Sequence, residues 1–258
     1  MPWSLTIKEL LEEIYLRYNR RESVHPDPLE FLYRYSCVED REIAGLVASG
    51  LAYGRVRSIL NSVEKVLTIL GDHPSRYLSE IPQKKLEEKL KPFRHRFTSG
   101  ADVAVLLRSA ASVQHSHGLV GNLLAELTEG AGYLEALDEL TVRLGGGYLL
   151  PGPARGSACK RLHLFMRWMV RTDEVDPGGW EMISPADLVV PVDVHMHRIG
   201  QCLGFTERKN ADGRTALEIT EGFRKILPED PVKYDFCLTR YGIQNLQSCE
   251  LFQRLHNR

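Results

Sequence analysis

The sequence predicts an all-α fold, and two observations carry that prediction. Apolar residues recur at helical spacing through most of the 258 residues. Only Leu188-Val189-Val190 has the composition of a strand, and Pro191 follows it with no second strand-like run available for pairing. A sheet is therefore not expected, and we predict about ten helices of ordinary length.

Composition and charge narrow the class of protein. With 43% hydrophobic and 26% charged residues, the chain is globular rather than disordered or fibrous. The net charge of −1 means that a role on nucleic acid would need a local basic face. The five cysteines form no C-x-x-C pair, which argues against zinc ribbons, cysteine-ligated clusters and disulfide scaffolds. The N-terminus has no long apolar run, so we expect a soluble, reduced, cytoplasmic protein.

Helix boundaries are marked by residue type along the chain. Asp27-Pro28 and Asp230-Pro231 each place a capping aspartate before a proline at the first helical position. Left-handed C-terminal caps are expected at Gly71, Gly118 and Gly204.

One predicted helix, from Ser157 to about Arg171, lies between two stretches rich in Gly and Pro, and Ser157 can cap its first turn. Its apolar stripe leaves a second face that carries Lys160, His163, Arg167 and Arg171. Such a face is usually solvated. Alternatively, Lys160 lies beside the positive end of the helix dipole, where a lysine can act as a nucleophile.

The segment from Val190 to Ile199 fits two structures. As a strand, it would project Asp193, His195 and His197 from one face, like the ligands of a metal-dependent hydrolase. As a helix start, it makes Asp193 an N-cap after an extended segment. The helix is better supported, because the sequence offers no barrel of strands.

The same segment, Val190-Pro-Val-Asp-Val-His-Met196, resembles a motif of the helix–hairpin–helix (HhH-GPD) DNA glycosylase superfamily, and its sequence is most similar to that of the 8-oxoguanine DNA glycosylase branch. The resemblance implies that Asp193 is the catalytic aspartate, that Lys160 is the Schiff-base lysine and that His195 lies near a substrate phosphate. The hairpin departs from the family pattern, because Ala158 replaces its second glycine when Gly156 is taken as the first. The cysteines of an iron–sulfur loop are absent, so no cofactor is expected.

A further likeness covers Ile43 to Val56, which is similar to the family helix that carries a wedge residue, and this likeness implies that Tyr53 fills the space left by a flipped base. The whole chain also resembles a little-characterised bacterial family of similar length, which shares the opening His-Pro-Asp-Pro-Leu-Glu-Phe.

The resemblance implies a two-lobed molecule, with residues 40–144 as a middle helical lobe and residues 1–39 plus 145–258 as a second lobe. It further implies a monomeric DNA repair glycosylase and AP lyase that excises an oxidised purine, 8-oxoguanine first, from damaged double-stranded DNA. No metal is expected.

The DNA contacts expected from this resemblance lie mostly around the helix starts. They comprise Tyr53, Arg155, Gly156, Ser157, Arg161, His195 and Arg198. Arg167 and Arg171 add basic charge, and residues 89–96 form a second basic patch whose commoner meaning is a solvated surface. Trp168 and Trp180 are candidates for stacking on a base, although a tryptophan on an apolar helix face more often belongs to the core.

Two other functions fit the same residues. A non-catalytic DNA-binding protein of the same fold would carry the same helices but form no covalent adduct. A metal-dependent hydrolase would use Asp193, His195 and His197.

Overall fold

The computed structural model describes residues 3–244, with the side chains of residues 7–242. The all-α prediction is confirmed. The α-helices are α1 (Trp3–Tyr18), α2 (Val38–Gly50), α3 (Val56–Leu70), α4 (Pro74–Glu80), α5 (Gln83–Leu90), α6 (Gly100–His117), α7 (Val120–Gly130), α8 (Tyr133–Arg143), α9 (Lys160–Val170), α10 (Val194–Cys202), α11 (Gly213–Arg224) and α12 (Asp235–Gln244). Short 3-10 helices span Arg21–Ser23, Pro28–Arg34, Pro153–Arg155 and Pro185–Asp187. Strands β1 (Arg94–His95) and β2 (Thr98–Ser99) form one antiparallel hairpin.

The helix ends follow the local residue types at most predicted positions. Asp27 caps the Pro28–Arg34 helix, and its Oδ1 accepts a hydrogen bond from the Leu29 amide at 3.0 Å. Gly71 and Gly118 have φ values of 74° and 77° and end α3 and α6, as predicted. These positions favour glycine because a Cβ is disfavoured at positive φ.

Asp230-Pro231 does not start a helix, although the dipeptide predicts one. The last described helix begins at Asp235 instead. The Asp230 carboxylate accepts the Val232 amide and also lies 2.9 Å from Nε of Arg171. The predicted helix start is wrong because residues 231–234 form turns before the helix begins.

The buried apolar side chains form one contiguous core that includes residues from Ile7 to Leu238. Helix α2 lies at its centre, and every residue from Glu42 to Gly50 is buried. It packs against α9, α3, α4, α6 and the Pro28–Arg34 helix. The core thus runs through both predicted lobes, and the division into lobes remains a prediction.

The strand-like segment Leu188-Val189-Val190 is buried but belongs to no strand. The Val190 amide donates to Oγ1 of Thr220 in α11 at 3.0 Å, which satisfies a backbone group without a sheet. The segment therefore leads into α10 as extended chain, which matches the helix-start interpretation.

Both tryptophans predicted to stack on bases belong to the core. Trp168 and Trp180 are no more than 1% exposed. The Trp180 indole donates to Oε1 of Glu42 at 2.6 Å, and the ring meets Phe165 edge-on. The predicted stacking on DNA bases is therefore wrong, because neither ring reaches the surface.

The described part of the chain contains no helix that is long and apolar enough to cross a membrane. Among the described cysteines, Cys37, Cys159 and Cys237 carry free thiols.

Candidate active site

The two residues predicted to act together lie side by side. Nζ of Lys160, the first residue of α9, is 3.3 Å from Oδ2 of Asp193, the N-cap of α10. The other carboxylate oxygen, Oδ1, accepts the amides of His195 and Met196 at 2.9 and 3.0 Å. The predicted N-cap at Asp193 is thus present. Capping fixes one oxygen and leaves the second facing the lysine.

The pair opens into a cleft of about 450 Å³. A volume of this size falls in the range of sites that hold small organic groups. Its apolar lining includes Ala52, Val56, Ile59, Leu164 and Phe236. Its polar lining includes Asp27, Arg167, His195, Asp235, Thr239 and Arg240.

The loop before α9 differs from the predicted helix start. The N-cap of α9 is Cys159, with φ of 45°, and not Ser157, whose Oγ accepts the Cys159 amide at 3.2 Å. Gly156 has φ of 72°, its amide donates to the Pro153 carbonyl, and its carbonyl accepts the Gly213 amide at 2.9 Å. The Gly156 amide is thus engaged within its own turn rather than free for a phosphate.

Arg161, a predicted phosphate contact, points into the protein. Its guanidinium donates to the carbonyl of Gly50 at 3.1 Å and to the carbonyl of Tyr148. It also lies 5.0 and 4.6 Å from the ring centres of Tyr53 and Tyr148. Burial lowers the pKa of Arg161. This geometry connects the start of α9 to the end of α2 and does not present the side chain to DNA.

Tyr53, the predicted wedge, has a side chain that is held on both sides. Its hydroxyl donates to the His95 carbonyl at 2.7 Å and accepts from Oγ1 of Thr98 at 2.7 Å. The ring also packs edge-on against His95, with the ring centres 4.7 Å apart. These contacts attach the β1–β2 hairpin to the α2–α3 turn, and Tyr53 would have to break them to enter a base stack.

The second half of the basic face of α9 is buried. Arg167 pairs with Asp176 at 3.1 Å and with Asp235, while Arg171 pairs with Asp173 at 2.9 Å, with Asp176 and with Asp230. Burial raises the pKa of Asp235 to about 6 against the opposing effect of Arg167. A solvated or DNA-binding role for Arg167 and Arg171 is wrong, because both are at most 6% exposed.

His163 lies on the same face and is also buried, at 3% exposure. Its Nδ1 has no hydrogen-bond partner within the described residues. Burial lowers its pKa to about 4, so the imidazole is neutral near pH 7.

The exposed basic side chains near the cleft form a different set from the predicted one. Of the predicted contacts, Arg155, His195 and Arg198 are exposed, and His195 lines the cleft. Four more arginines are exposed, and we call them the basic rim: Arg55, Arg57, Arg94 and Arg96. Sequence reasoning misses Arg55 and Arg57, whereas Arg94 and Arg96 belong to the predicted patch at residues 89–96. Two follow α2 and two lie at the hairpin, so only the fold brings them near one another.

The basic rim reaches the cleft at Gly54, which forms part of the lining. A Cβ built on Gly54 would lie 2.9 Å from Nη1 of Arg96. The predicted basic patch at residues 89–96 includes Arg94 and Arg96, but its His95 is buried at 3% exposure. The basic run at residues 89–96 therefore predicts two exposed arginines but not the burial of its histidine.

The metal-hydrolase interpretation has no geometric support. His195 and His197 lie on a helix rather than a strand, and Nε2 of His197 donates to the Arg208 carbonyl at 2.8 Å. Between residues 3 and 244, no three His, Cys, Asp or Glu side chains are placed to hold a metal ion.

A comparison with known protein families assigns the chain to one of them. Residues 27–244 match the family described as "Protein of unknown function (DUF2400)", and the chain belongs to that family. No curated protein matches the chain. No solved structure matches it either.

The family match overturns the expected membership of the helix–hairpin–helix glycosylase superfamily. That likeness depended mainly on the segment around Asp193. An extended, proline-containing segment followed by a capping aspartate is a general way to begin a helix. The amino-acid sequence of one such segment therefore does not identify a superfamily. The geometry of the cleft is a separate observation that does not depend on this likeness.

Proposed function

We propose that the protein removes a damaged base from DNA and cuts the strand, with Lys160 as the nucleophile. The observation that carries this proposal is the Lys160–Asp193 pair, 3.3 Å apart in a cleft whose lining residue Gly54 lies beside the exposed Arg96. A lysine amine that faces a cleft can act as a nucleophile once it has lost its proton, and a neighbouring carboxylate can accept that proton.

The two side chains have separate tasks in this reaction. The amine must lose a proton before it attacks, and Oδ2 of Asp193 is near enough to accept it. Alternatively, if another base takes that proton, Asp193 stays ionised and stabilises the positive charge that develops on the sugar. Because Oδ1 is fixed by the amides of His195 and Met196, the carboxylate keeps its orientation throughout.

The proposed reaction balances without a cofactor. The Lys160 nitrogen bonds to C1′ while the bond from C1′ to the base breaks, and the base leaves with the electron pair and takes up a proton. The C1′–O4′ bond then opens to give an iminium. Loss of a proton from C2′ expels the 3′ phosphate, and water finally hydrolyses the imine and returns the lysine.

DNA would reach the cleft through local positive charge. The basic rim borders one side at Gly54, while His195 lines the cleft itself. Arg155 and Arg198 are further exposed candidates for phosphate contact. Such contacts compensate for a net charge of −1 and help meet the cost, about a few kcal/mol, of turning a nucleotide out of a duplex.

The proposed substrate is damaged double-stranded DNA in the cytoplasm. A cleft of about 450 Å³ is roomy enough for a purine nucleoside. This volume admits a purine without selecting among purine lesions, so the panel begins with an oxidised purine, 8-oxoguanine, and includes other damaged purines.

Borohydride trapping on a panel of damaged duplexes tests the proposal. The wild-type protein should give a covalent adduct and a cut strand with at least one lesion. Lys160→Gln should abolish both, because an amide cannot form the imine, whereas the exposed-lysine control Lys225→Gln should retain both. Full activity of Lys160→Gln would refute the assignment.

Asp193→Asn separates the chemistry of the site from its folding. Asparagine caps a helix nearly as well as aspartate, so this variant should fold. Its excision rate should fall by orders of magnitude through lost charge stabilisation. An unchanged rate would remove Asp193 from the mechanism.

A non-catalytic DNA-binding role is the second candidate. The observation that favours it is the basic rim, which would bind phosphates whether or not Lys160 reacts. It predicts DNA binding that weakens with salt, together with no adduct on any lesion.

A further inference from the structure

The tip of the β1–β2 hairpin presents an aromatic side chain to solvent. Arg94 pairs with Ser99 and His95 with Thr98, so Arg96 and Phe97 form a two-residue turn. Arg96 has φ of 53°, in the left-handed region that such turns require. Phe97 is 74% exposed, which is unusual for a large apolar side chain and is not explained by the packing of the core.

The hairpin is firmly attached to the protein beneath it. Nε2 of His95 donates to the Tyr53 carbonyl at 3.0 Å, and its Nδ1 accepts from the Ser62 hydroxyl at 2.9 Å. On the other strand, Oγ1 of Thr98 meets the Tyr53 hydroxyl at 2.7 Å. The exposed position of Phe97 is therefore set by buried hydrogen bonds and does not result from a loose loop.

A second exposed ring stands beside Phe97. Tyr148 is 52% exposed, and its ring centre lies 6.2 Å from that of Phe97 at an interplanar angle of 83°. Its carbonyl accepts a hydrogen bond from Arg161, and its ring packs edge-on against Tyr53. The two rings thus form a supported aromatic surface, which we call the Phe97–Tyr148 surface.

Positive charge surrounds this surface and connects it to the cleft. Arg94 and Arg96 are exposed on the same hairpin, and Arg96 lies against Gly54 in the cleft lining. Exposed rings next to exposed arginines suit a nucleic-acid strand, because its bases can stack on the rings and its phosphates can bind the arginines. A protein partner would instead favour a continuous apolar patch with a polar border.

We infer that the Phe97–Tyr148 surface binds unpaired bases of DNA by stacking, while Arg94 and Arg96 contact the adjoining phosphates. The faces of a paired base are covered by its neighbours in the duplex, so a ring on the protein surface can stack only on a base whose face is free. This inference goes beyond the proposed chemistry of Lys160, because it requires binding alone.

Binding measurements with three DNA forms test the inference. Fluorescence anisotropy would compare a single strand of about 20 nucleotides, a duplex with an unpaired bulge and a fully paired duplex of the same sequence. All proteins would carry Lys160→Gln so that no covalent step contributes. Phe97→Ala should weaken binding of the single strand and the bulge by about 5- to 100-fold and leave the paired duplex unchanged.

Two further variants identify stacking as the cause. Phe97→Tyr should keep the parental affinity because it keeps the aromatic face, whereas Phe97→Leu should lose most of it. Leu16→Ala removes another exposed apolar side chain, 71% exposed on α1, and should change nothing. Thermal melting should show all variants to be folded, because these side chains are exposed.

The inference is overturned if Phe97→Ala binds the single strand as tightly as its parent. It is also overturned if the paired duplex loses the same factor, or if Phe97→Leu matches Phe97→Tyr, since a general apolar contact would then be responsible. Failure to trap an adduct would count against Lys160 as nucleophile and would leave these binding results unaffected.

Discussion

The two ends of α9 carry basic residues on one face of a single helix, yet they have opposite surroundings. Lys160, in the first turn, keeps 35% of its side chain exposed, has one carboxylate partner and faces the cleft. Arg167 and Arg171, in the later turns, are buried and share four aspartates. The start of α9 thus leaves Lys160 accessible for a reaction, whereas the ion pairs of Arg167 and Arg171 at its other end stabilise the fold.

The choice of lysine or arginine follows this difference. A guanidinium presents a planar set of donors that satisfies two carboxylates at once, which suits a desolvated network. A lysine amine is compact, and it is able to lose its proton and react. The comparison therefore predicts that substitutions at the buried end affect stability, while those at the exposed end affect reactivity.

The largest expected effect comes from Arg167→Met. This change leaves Asp176 and Asp235 buried beside a reduced positive charge, and the free energy of unfolding should fall by about 3–5 kcal/mol. Urea denaturation measures it, with the exposed Arg198→Met expected to stay within about 0.5 kcal/mol of the parent. A loss below about 1 kcal/mol for Arg167→Met would mean that the network is not structural.

The next effect is a pH dependence that arises from His163. Its pKa is lowered from 6.5 to about 4 in the folded protein, so the unfolded chain binds the proton more tightly. Stability should therefore fall as the pH drops from about 6.5 toward 4, by up to about 3 kcal/mol from this group.

His163→Leu provides the comparison for that pH dependence. Leucine does not titrate, so the difference in unfolding free energy between the two proteins should change across this pH range and stay constant above it. Parallel stability curves from pH 4 to pH 8 would show that His163 is not the titrating group.

A smaller effect is expected for Tyr53→Phe. Loss of the hydroxyl leaves the His95 carbonyl and the Thr98 hydroxyl without one partner each, at a cost of about 1–2 kcal/mol. Tyr148→Phe is the matched control, because that ring is 52% exposed, and its unfolding free energy should be unchanged. Equal losses from both variants would contradict the role of Tyr53 as the anchor of the hairpin.

The smallest expected change in stability is that of Lys160→Met. The pair with Asp193 is partly exposed, and such pairs contribute less than about 1 kcal/mol. Chemical denaturation should therefore give nearly the parental unfolding free energy, although the variant cannot form the proposed imine. A loss as large as that of Arg167→Met would show that the two ends of α9 do not differ as described.

The sequence predicts those structural features that depend on residues close together in the chain. Asp27, Gly71 and Asp193 act within their own turn, so their residue types are enough to mark helix ends. The start of α9 escapes prediction because Cys159 at positive φ has no residue-type signature.

Contacts between distant segments explain other errors. Trp180 meets Glu42, and the hairpin meets Tyr53, each across a long stretch of chain. The Lys160–Asp193 contact is also long-range, and it was expected from a family likeness that the DUF2400 match overturned. Lys160 and Arg167 lie on one face of α9 but differ in burial, and the hydrophobic pattern of a single helix does not predict that difference.

Locating the covalent bond in the wild-type protein tests most directly whether Lys160 is the nucleophile. After borohydride reduction with a lesion-containing duplex, nuclease and protease digestion followed by mass spectrometry would identify the peptide that carries the sugar. We expect the added mass on Lys160 and its disappearance in Lys160→Gln. An adduct on any other residue, with Lys160 recovered unmodified, would contradict this expectation.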